Sequence, residues 1–357
     1  MPAIHQLVAG FTKGDAISNE AVALQKIFRS WGFASEIFCE PHRVLPEMRS
    51  RSLDVALAKN TFKPEDIAVL HLSIGSAVND IFTSLKCRRA IIYHNMTPPV
   101  FFRGIQEEIA RDLEWGRQQA KNLAGSAEVV MAVSKFNACE LNDMGYERVE
   151  ILPLVIDFSF VRQKPDRAVL RGLDDGKINV IFVGRGVPNK RIEDLLSAFH
   201  YFRQTVEKNS RFIHVGSYTG VERYQALIQA QARRLCIENC VFTGSVPQAE
   251  LTAYYQGAHL FLCMSEHEGF CIPLIESMAH DLPVMAYKAA AVPETLAGAG
   301  VMFAEKRWDY AAEMMGRLAQ DKNLRAKIIA GQRERLRRYE SNNLAAELKK
   351  ILAPLPA

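Results

Sequence analysis

In Ser265-Glu-His-Glu268-Gly-Phe-Cys-Ile-Pro273-Leu-Ile-Glu276, the carboxylates of Glu268 and Glu276 stand with seven residues between them. Pro273 suits the first turn of a helix, where its missing N–H costs nothing. Gly269 lets the loop ahead of it bend. Glu268 is therefore expected on a loop and Glu276 in the first helical turn. The unbonded N–H groups at that helix start form an anion site. Two acids, a Gly-Phe loop and a helix N-terminus together suit an anionic leaving group on a hydroxyl-rich substrate. The same residues also read as an ordinary connection whose acids sit where the helix dipole favours them, so the rest of the chain has to decide.

Outward from this stretch, the same strand-loop-helix unit recurs. It follows a strand pattern at Leu260–Met264 and opens a helical one at Pro273–His280. Around it lie strand patterns at Ile178–Val183, Arg211–Val215, Cys240–Thr243 and Pro283–Ala286, with helical patterns at Ile192–Thr205, Tyr224–Leu235, Gln248–Gln256 and Tyr310–Ala319. The first half follows the same logic, with strands at Ile4–Ala9, Ile67–Leu72, Arg89–Tyr93, Val129–Ala132 and Val149–Leu152. Between the first two, Glu20–Trp31 is amphipathic, with Ala21, Leu24, Ile27, Phe28 and Trp31 on one stripe. Such alternation predicts an α/β protein with parallel sheets covered on both faces. Two halves predict two doubly wound domains, 1–157 and 172–337, joined across the polar stretch Asp157–Gly176, with a C-terminal helix 338–357 returning to the first domain. Ligands of such sheets bind beyond the carboxyl ends of the strands, so two facing sheets are expected to share one cleft.

Composition narrows the class. The chain has 357 residues, 48% hydrophobic and 24% charged, ample for two domains. No apolar run approaches the roughly 20 residues of a membrane span. The apolar start, Met1–Gly10, lacks a basic region and reads as a first strand. Seven scattered cysteines fit reduced thiols and a cytoplasmic setting; Cys236 and Cys240 have no second pair to complete a zinc site. A net charge of +4 does not imply nucleic acid. The basic run Arg333–Arg338 reads as a solvated helix face, with a seat on an anionic membrane surface as the alternative.

Further loops follow strands. Gly10-Phe-Thr-Lys-Gly14-Asp15 matches neither the dinucleotide nor the P-loop pattern. Gly184-Arg185-Gly-Val-Pro-Asn189-Lys190-Arg191 places Arg185 and Lys190 around a turn before a helix, where two cations would hold a diphosphate; a solvated charged turn is the plainer reading. Tyr93-His94-Asn95-Met-Thr-Pro-Pro99 puts His94 at a strand's carboxyl end, as a binding group or a satisfied structural histidine. Gly244-Ser-Val246-Pro247 is a turn whose backbone suits a flat base.

With these features in this order, and with Ala291-Val-Pro-Glu294 and Gly298-Ala-Gly300 behind them, the chain resembles a retaining glycosyltransferase of family 4 (glycosyl transferases group 1), over about its whole length. The resemblance implies the GT-B fold, two Rossmann-like domains with acceptor bound by the first and nucleotide-sugar by the second. It implies that Arg185 and Lys190 neutralise the diphosphate and that Glu276 accepts from the ribose. Glu268 with the backbone of Gly269, Phe270 and Cys271 would hold the transferred sugar. N–H groups near Leu274 and Ile275 would cap the phosphate, and Val246 would meet the base. His94 would lie between donor sugar and acceptor, Asn95 beside the acceptor, and Gly14 and Asp15 near phosphate and acceptor. His94, Glu268, Arg185 and Lys190 are then the catalytic set, acting by position and electrostatics. Fixed cations and a helix N-terminus stabilise the leaving diphosphate, so no metal and no other cofactor is expected. No Asp-x-Asp motif occurs, and Asp174-Asp175 fall in the expected linker. Cys271 departs from the glycine usual there.

Two other enzyme classes fit the chain less well. A nicotinamide-dependent dehydrogenase would need an acid at the end of the strand after Gly184–Asn189, and Phe212-Ile-His-Val-Gly216-Ser217 offers none. A sugar-nucleotide epimerase or hydrolase of the same fold is the other; epimerisation needs no acceptor, and Glu268 and Glu276 with Arg185 and Lys190 favour transfer. The expected donor is a UDP- or GDP-hexose. The expected acceptor is a glycan or lipid-linked saccharide, in bacterial surface polysaccharide assembly, with peripheral contact at the inner face of the cell membrane. Phe101-Phe-Arg103 and Trp115 mix aromatics with cations in the acceptor region, which suits a sugar ring or such a surface; a partly buried amphipathic helix is the plainer reading.

Overall fold

The computed structural model describes residues 2–12 and 14–353. The chain divides into two compact units, Met1–Val100 with Glu108–Asp157 and Tyr339–Ala357, and Phe101–Glu107 with Phe158–Arg338.

The first unit holds seven strands: β1 (Ile4–Val8), β2 (Ile37–Cys39), β3 (Leu53–Asp54), β4 (Ile67–Leu72), β5 (Arg88–Tyr93), β6 (Val129–Ala132) and β7 (Glu150–Ile151). They lie in the order β3-β2-β1-β4-β5-β6-β7, and each recorded pairing is parallel. Every residue of β1, β4 and β6 is buried, as expected for strands covered on both faces. The helix Ala16–Ser30 packs on β1, burying Ala21, Leu24 and Phe28.

The second unit holds β8 (Ile178–Val183), β9 (Ser210–Val215), β10 (Cys240–Gly244), β11 (Leu260–Cys263), β12 (Val284–Tyr287) and β13 (Val301–Phe303). Their order, β10-β9-β8-β11-β12-β13, is that of a doubly wound nucleotide-binding sheet. The strand order reverses between β8 and β11, which pair through Leu260↔Val180 and Phe261↔Ile181. In the first unit the reversal lies between β1 and β4. Loops leaving these four strands therefore border the two crevices.

Several expectations are corrected. β2, β3 and β13, of at most three residues each, are not among the expected strands. The stretch read as a linker, Asp157–Gly176, contains the helices Phe158–Val161 and Arg167–Leu173 of the second unit. Asp175, placed there with Asp174, pairs with Lys177 and Arg211. The helix Lys322–Leu336 and a tight turn at Arg337–Tyr339 precede Ser341–Leu352, the described part of the helix expected over 338–357. Its end, 354–357, lies outside the described residues, as does Lys13 of the first loop.

Candidate active site

In the second unit the site is built on the loops after β8 and β11, the neighbours at the strand reversal. After β8, Gly184 takes φ 148°, Pro188–Lys190 forms one tight turn, and Arg191 enters the helix Ile192–Thr205 in the left-handed region at φ 54°. Gly184 is held where a larger neighbour would not fit: a Cβ on Gly216 would stand 1.8 Å from its carbonyl oxygen. After β11 the loop runs through Ser265–Gly269 to Cys271, which caps the helix Ile272–Ala279 in the left-handed region at φ 72°. Glycine takes that conformation without penalty and cysteine does not, which gives the cysteine-for-glycine departure a physical cost. Glu276 is the fifth residue of that helix, in its second turn and not its first.

The two loops are tied together. Glu266 N donates to Asn189 O at 2.9 Å, Asn189 Nδ2 donates to His267 O at 3.0 Å, and Lys190 Nζ pairs with Glu268 Oε2 at 2.6 Å. Glu268 is only 7% exposed. Burial works against the Lys190 ammonium, but Glu268 and the neighbouring thiols outweigh it and hold its pKa above the ordinary lysine value. Arg185 stays exposed, with one bond from Nη2 to Thr219 O at 3.2 Å. The pair thus splits into a fixed, half-sequestered cation and an open one. Three ammonium donors allow Lys190 to keep Glu268 and still meet a second anion.

Glu276 accepts from Tyr255 Oη at 2.8 Å, and the Tyr255 ring lies over His280 with centroids 5.3 Å apart. Burial pushes the Glu276 carboxyl above its ordinary pKa, and Tyr255 draws it part of the way back. Leu274 and Ile275 are fully buried, and the Leu274 N–H already donates to Cys271 O at 3.1 Å. The Phe270 ring is buried, and its carbonyl accepts from the Thr295 hydroxyl. Val246 sits half-buried beyond Gly244, whose oxygen accepts from Gly216 N at 3.0 Å. Cys263, at the end of β11, lies with Glu268 and Cys271 in a buried group whose donor atoms are all within 4.8 Å of one another.

The first unit gathers a different group. His94 follows β5, and its Nε2 is 2.9 Å from Nδ1 of His71, which lies on β4. His71 Nε2 is 2.9 Å from Gln6 Oε1 on β1, and Gln6 Nε2 donates to Ala21 O at 2.9 Å. The Gln6 amide is thereby oriented, and the protons follow from it. Its oxygen must receive the His71 Nε2–H, so His71 Nδ1 accepts and His94 Nε2 donates. The lone pair on His94 then lies at Nδ1, a buried atom without a hydrogen-bond partner among the described residues. Glu20 Oε2 lies 3.4 Å from His94 Nε2, while Val155 N donates to Glu20 Oε1 at 3.3 Å. Burial pushes Glu20 up to about 8, and holds His71 down at about 3 and His94 well below the ordinary histidine value, with His71 adding to the effect on His94.

Neighbouring expectations meet specific partners. Asn95, at φ 93°, gives its amide to Asn137 Oδ1 at 3.0 Å and Glu140 Oε2 at 2.9 Å. Asp15 caps the helix Ala16–Ser30, accepting from Ser18 N and Oγ at 2.9 Å each, with Gly14 before it at φ 79°. Sequence reasoning assigned no role to Asn189, Tyr255, Cys263, Gln6, Glu20 or His71. A signal existed for two of them: Gln6 and His71 are polar residues inside strands buried on both faces, where each must find a partner.

Residues 166–335 match the family described as glycosyl transferases group 1. The chain is 31% identical over 194 residues to a D-inositol 3-phosphate glycosyltransferase of Segniliparus rotundus, covering 52% of this chain and 42% of that protein. It is 25% identical over 187 residues to an O-antigen chain mannosyltransferase B of Escherichia coli, covering 50% of this chain and 48% of that protein. The matches thus span about half the length of these curated relatives. Among solved structures, Anabaena HepE in complex with UDP and glucose superposes with a TM-score of 0.75 over 99% of this chain and 100% of that one, at 14% identity, a likeness of fold.

Proposed function

Because residues 166–335 belong to the glycosyl transferases group 1 family and the two Rossmann-like parallel sheets are those of the GT-B fold, we propose that the chain transfers a hexose, with retention, from a UDP- or GDP-sugar to a hydroxyl of a glycan or lipid-linked saccharide. The observation that carries this reading is the buried Lys190–Glu268 pair, stitched by Asn189 between the loops after β8 and β11. A nucleotide-sugar presents a diphosphate beside a ring of hydroxyls. Lys190 and Arg185 serve the first and Glu268, with the backbone of Gly269, Phe270 and Cys271, the second. Glu276 accepts from the ribose, and Tyr255 holds that carboxylate in place. Val246 meets the base.

As the glycosidic bond breaks, charge grows on the leaving phosphate, and prepositioned cations stabilise it without reorganisation. The acceptor hydroxyl attacks from the same face and gives its proton to that phosphate. No metal is required by this scheme. The first unit holds the acceptor near Asp15, His94 and Asn95. The place of action is bacterial surface polysaccharide assembly, in the cytoplasm or peripherally at the inner membrane face.

The test is a thermal-shift comparison of UDP, GDP, ADP and NAD, with and without chelator. Stabilisation by UDP or GDP, unchanged by chelator, is expected. Glu276→Ala should weaken the effective nucleotide at least about tenfold, the loss of a hydrogen bond to a charged group. Stabilisation by NAD alone would overturn the reading.

A further inference from the structure

Cys263, Glu268 and Cys271 are each buried, and their sulfur and oxygen donors lie within 4.8 Å of one another. Tetrahedral zinc binds thiolate at about 2.3 Å and carboxylate at about 2.0–2.2 Å, so its ligand atoms stand about 3.4–3.8 Å apart. The group is therefore within about 1 Å of a coordination shell along its longest edge. Its three residues sit at the end of β11, in the following loop and at the cap of the next helix, so the scaffold already brings them together. Ser265 Oγ lies 3.3 Å from Cys263 Sγ and supports that thiol. The charges also balance. Two thiolates and a carboxylate carry three negative charges; a divalent ion and the Lys190 ammonium, 2.6 Å from Glu268, carry three positive ones. A neutral cluster avoids the penalty of burying net charge.

We propose that Cys263, Glu268 and Cys271 form a binding site for a soft divalent cation of the zinc and cadmium type, which inhibits the protein by taking Glu268 as a ligand. Thiolates select such an ion over magnesium or calcium. Binding releases one proton from each thiol to solvent and involves no oxidation. The binding itself stands on geometry alone; the inhibition rests on the glycosyl-transfer reading, in which Glu268 holds the sugar.

The probe is Cd2+, titrated into the full chain and followed by the ultraviolet thiolate-to-cadmium charge-transfer band, with Zn2+ as competitor. The parent protein should bind one tight equivalent. Cys263→Ser should lose it, with affinity down by about 100-fold or more, beyond the roughly 10–100-fold cost of an outer-shell change. Glu268→Gln, nearly isosteric, should weaken it while leaving both thiols present. The exposed Cys139 and Cys236 are common to all three proteins and cancel in the comparison. Identical titrations for the parent and Cys263→Ser would overturn the site. For inhibition, Zn2+ should stop transfer by the parent and spare Cys263→Ser, whose basal rate is unchanged. Equal inhibition of both would overturn that half. A protein that transfers no sugar from any donor would defeat the functional reading and leave the cadmium titration to decide the site.

Discussion

At the scale of single residues, the site depends on charges placed where water is scarce. Glu20 is the extreme case. It is buried beside His94, and burial moves its pKa from the ordinary 4.5 to about 8. The folded state therefore binds a proton between those values that the unfolded chain releases. Stability from the protonated form is whole below about 4.5 and is lost as pH rises through about 8. Glu20→Gln cannot ionise and keeps the shape. Its unfolding free energy, measured in denaturant at pH 5, 7 and 9, should gain on the parent by about 1.4 kcal/mol per pH unit inside that window. A gap independent of pH would mean that Glu20 is already ionised at pH 5. His71 does not obscure the comparison, since its pKa of about 3 keeps it neutral throughout. Lys190 raises a second residue-scale expectation. Lys190→Ala leaves Glu268 buried without its partner and removes a cation proposed to meet the diphosphate, so turnover should fall far more than the melting temperature; an unaltered rate would make Lys190 a structural charge only.

At the scale of elements, glycines set how closely the site loops can approach. Gly216 N reaches Gly244 O at 3.0 Å, and Gly184 N reaches Val215 O at 2.9 Å, so three strand ends interlock behind Arg185. A methyl on Gly216 would fall 1.8 Å from the Gly184 oxygen, a backbone atom that cannot swing aside. Gly216→Ala should therefore cost about 1–3 kcal/mol, as other overpacked sites do, and should weaken nucleotide binding by displacing Arg185. Calorimetry with a nucleotide titration checks both, and a variant normal in both would show that the loop yields freely. The helix Ile272–Ala279 illustrates a different element-scale effect. Its cap at Cys271 starts it early enough to carry Glu276 into the second turn, within reach of Tyr255.

At the scale of the whole molecule, the chain leaves each unit and returns. Phe101–Glu107 belongs to the second unit, where Gln106 Nε2 donates to Gly220 O at 3.0 Å. Tyr339–Ala357 belongs to the first. There Leu344, Leu348 and Leu352 are 0%, 0% and 5% exposed. Burying a leucine side chain contributes about 1.5–3 kcal/mol, so these three are a large share of an ordinary domain's margin of about 5–15 kcal/mol. Removal of residues 341–357 should make the first unit the earlier to melt and the first cut in limited proteolysis. An unchanged melting profile would show that the terminal helix is dispensable.

The amino-acid sequence by itself determined the fold class and the main site loops. Buried parallel strands must be nearly all apolar, and loops at their carboxyl ends must carry glycine, proline and charge, so both leave local patterns. The loops that carry Arg185, Lys190, Glu268 and Glu276 were legible for that reason. Tertiary structure alone decided which of them meet: that Lys190 is tied to Glu268 while Arg185 stays open, that Tyr255 reaches Glu276, and that Cys263 lies beside Cys271. It alone joined Gln6, His71, His94 and Glu20, which come from inside two strands, from the residue after a third and from a helix. A pairing between distant residues has no periodicity to betray it. It arises only when parallel strands come into register, and only then does burial shift the protonation of the groups gathered there.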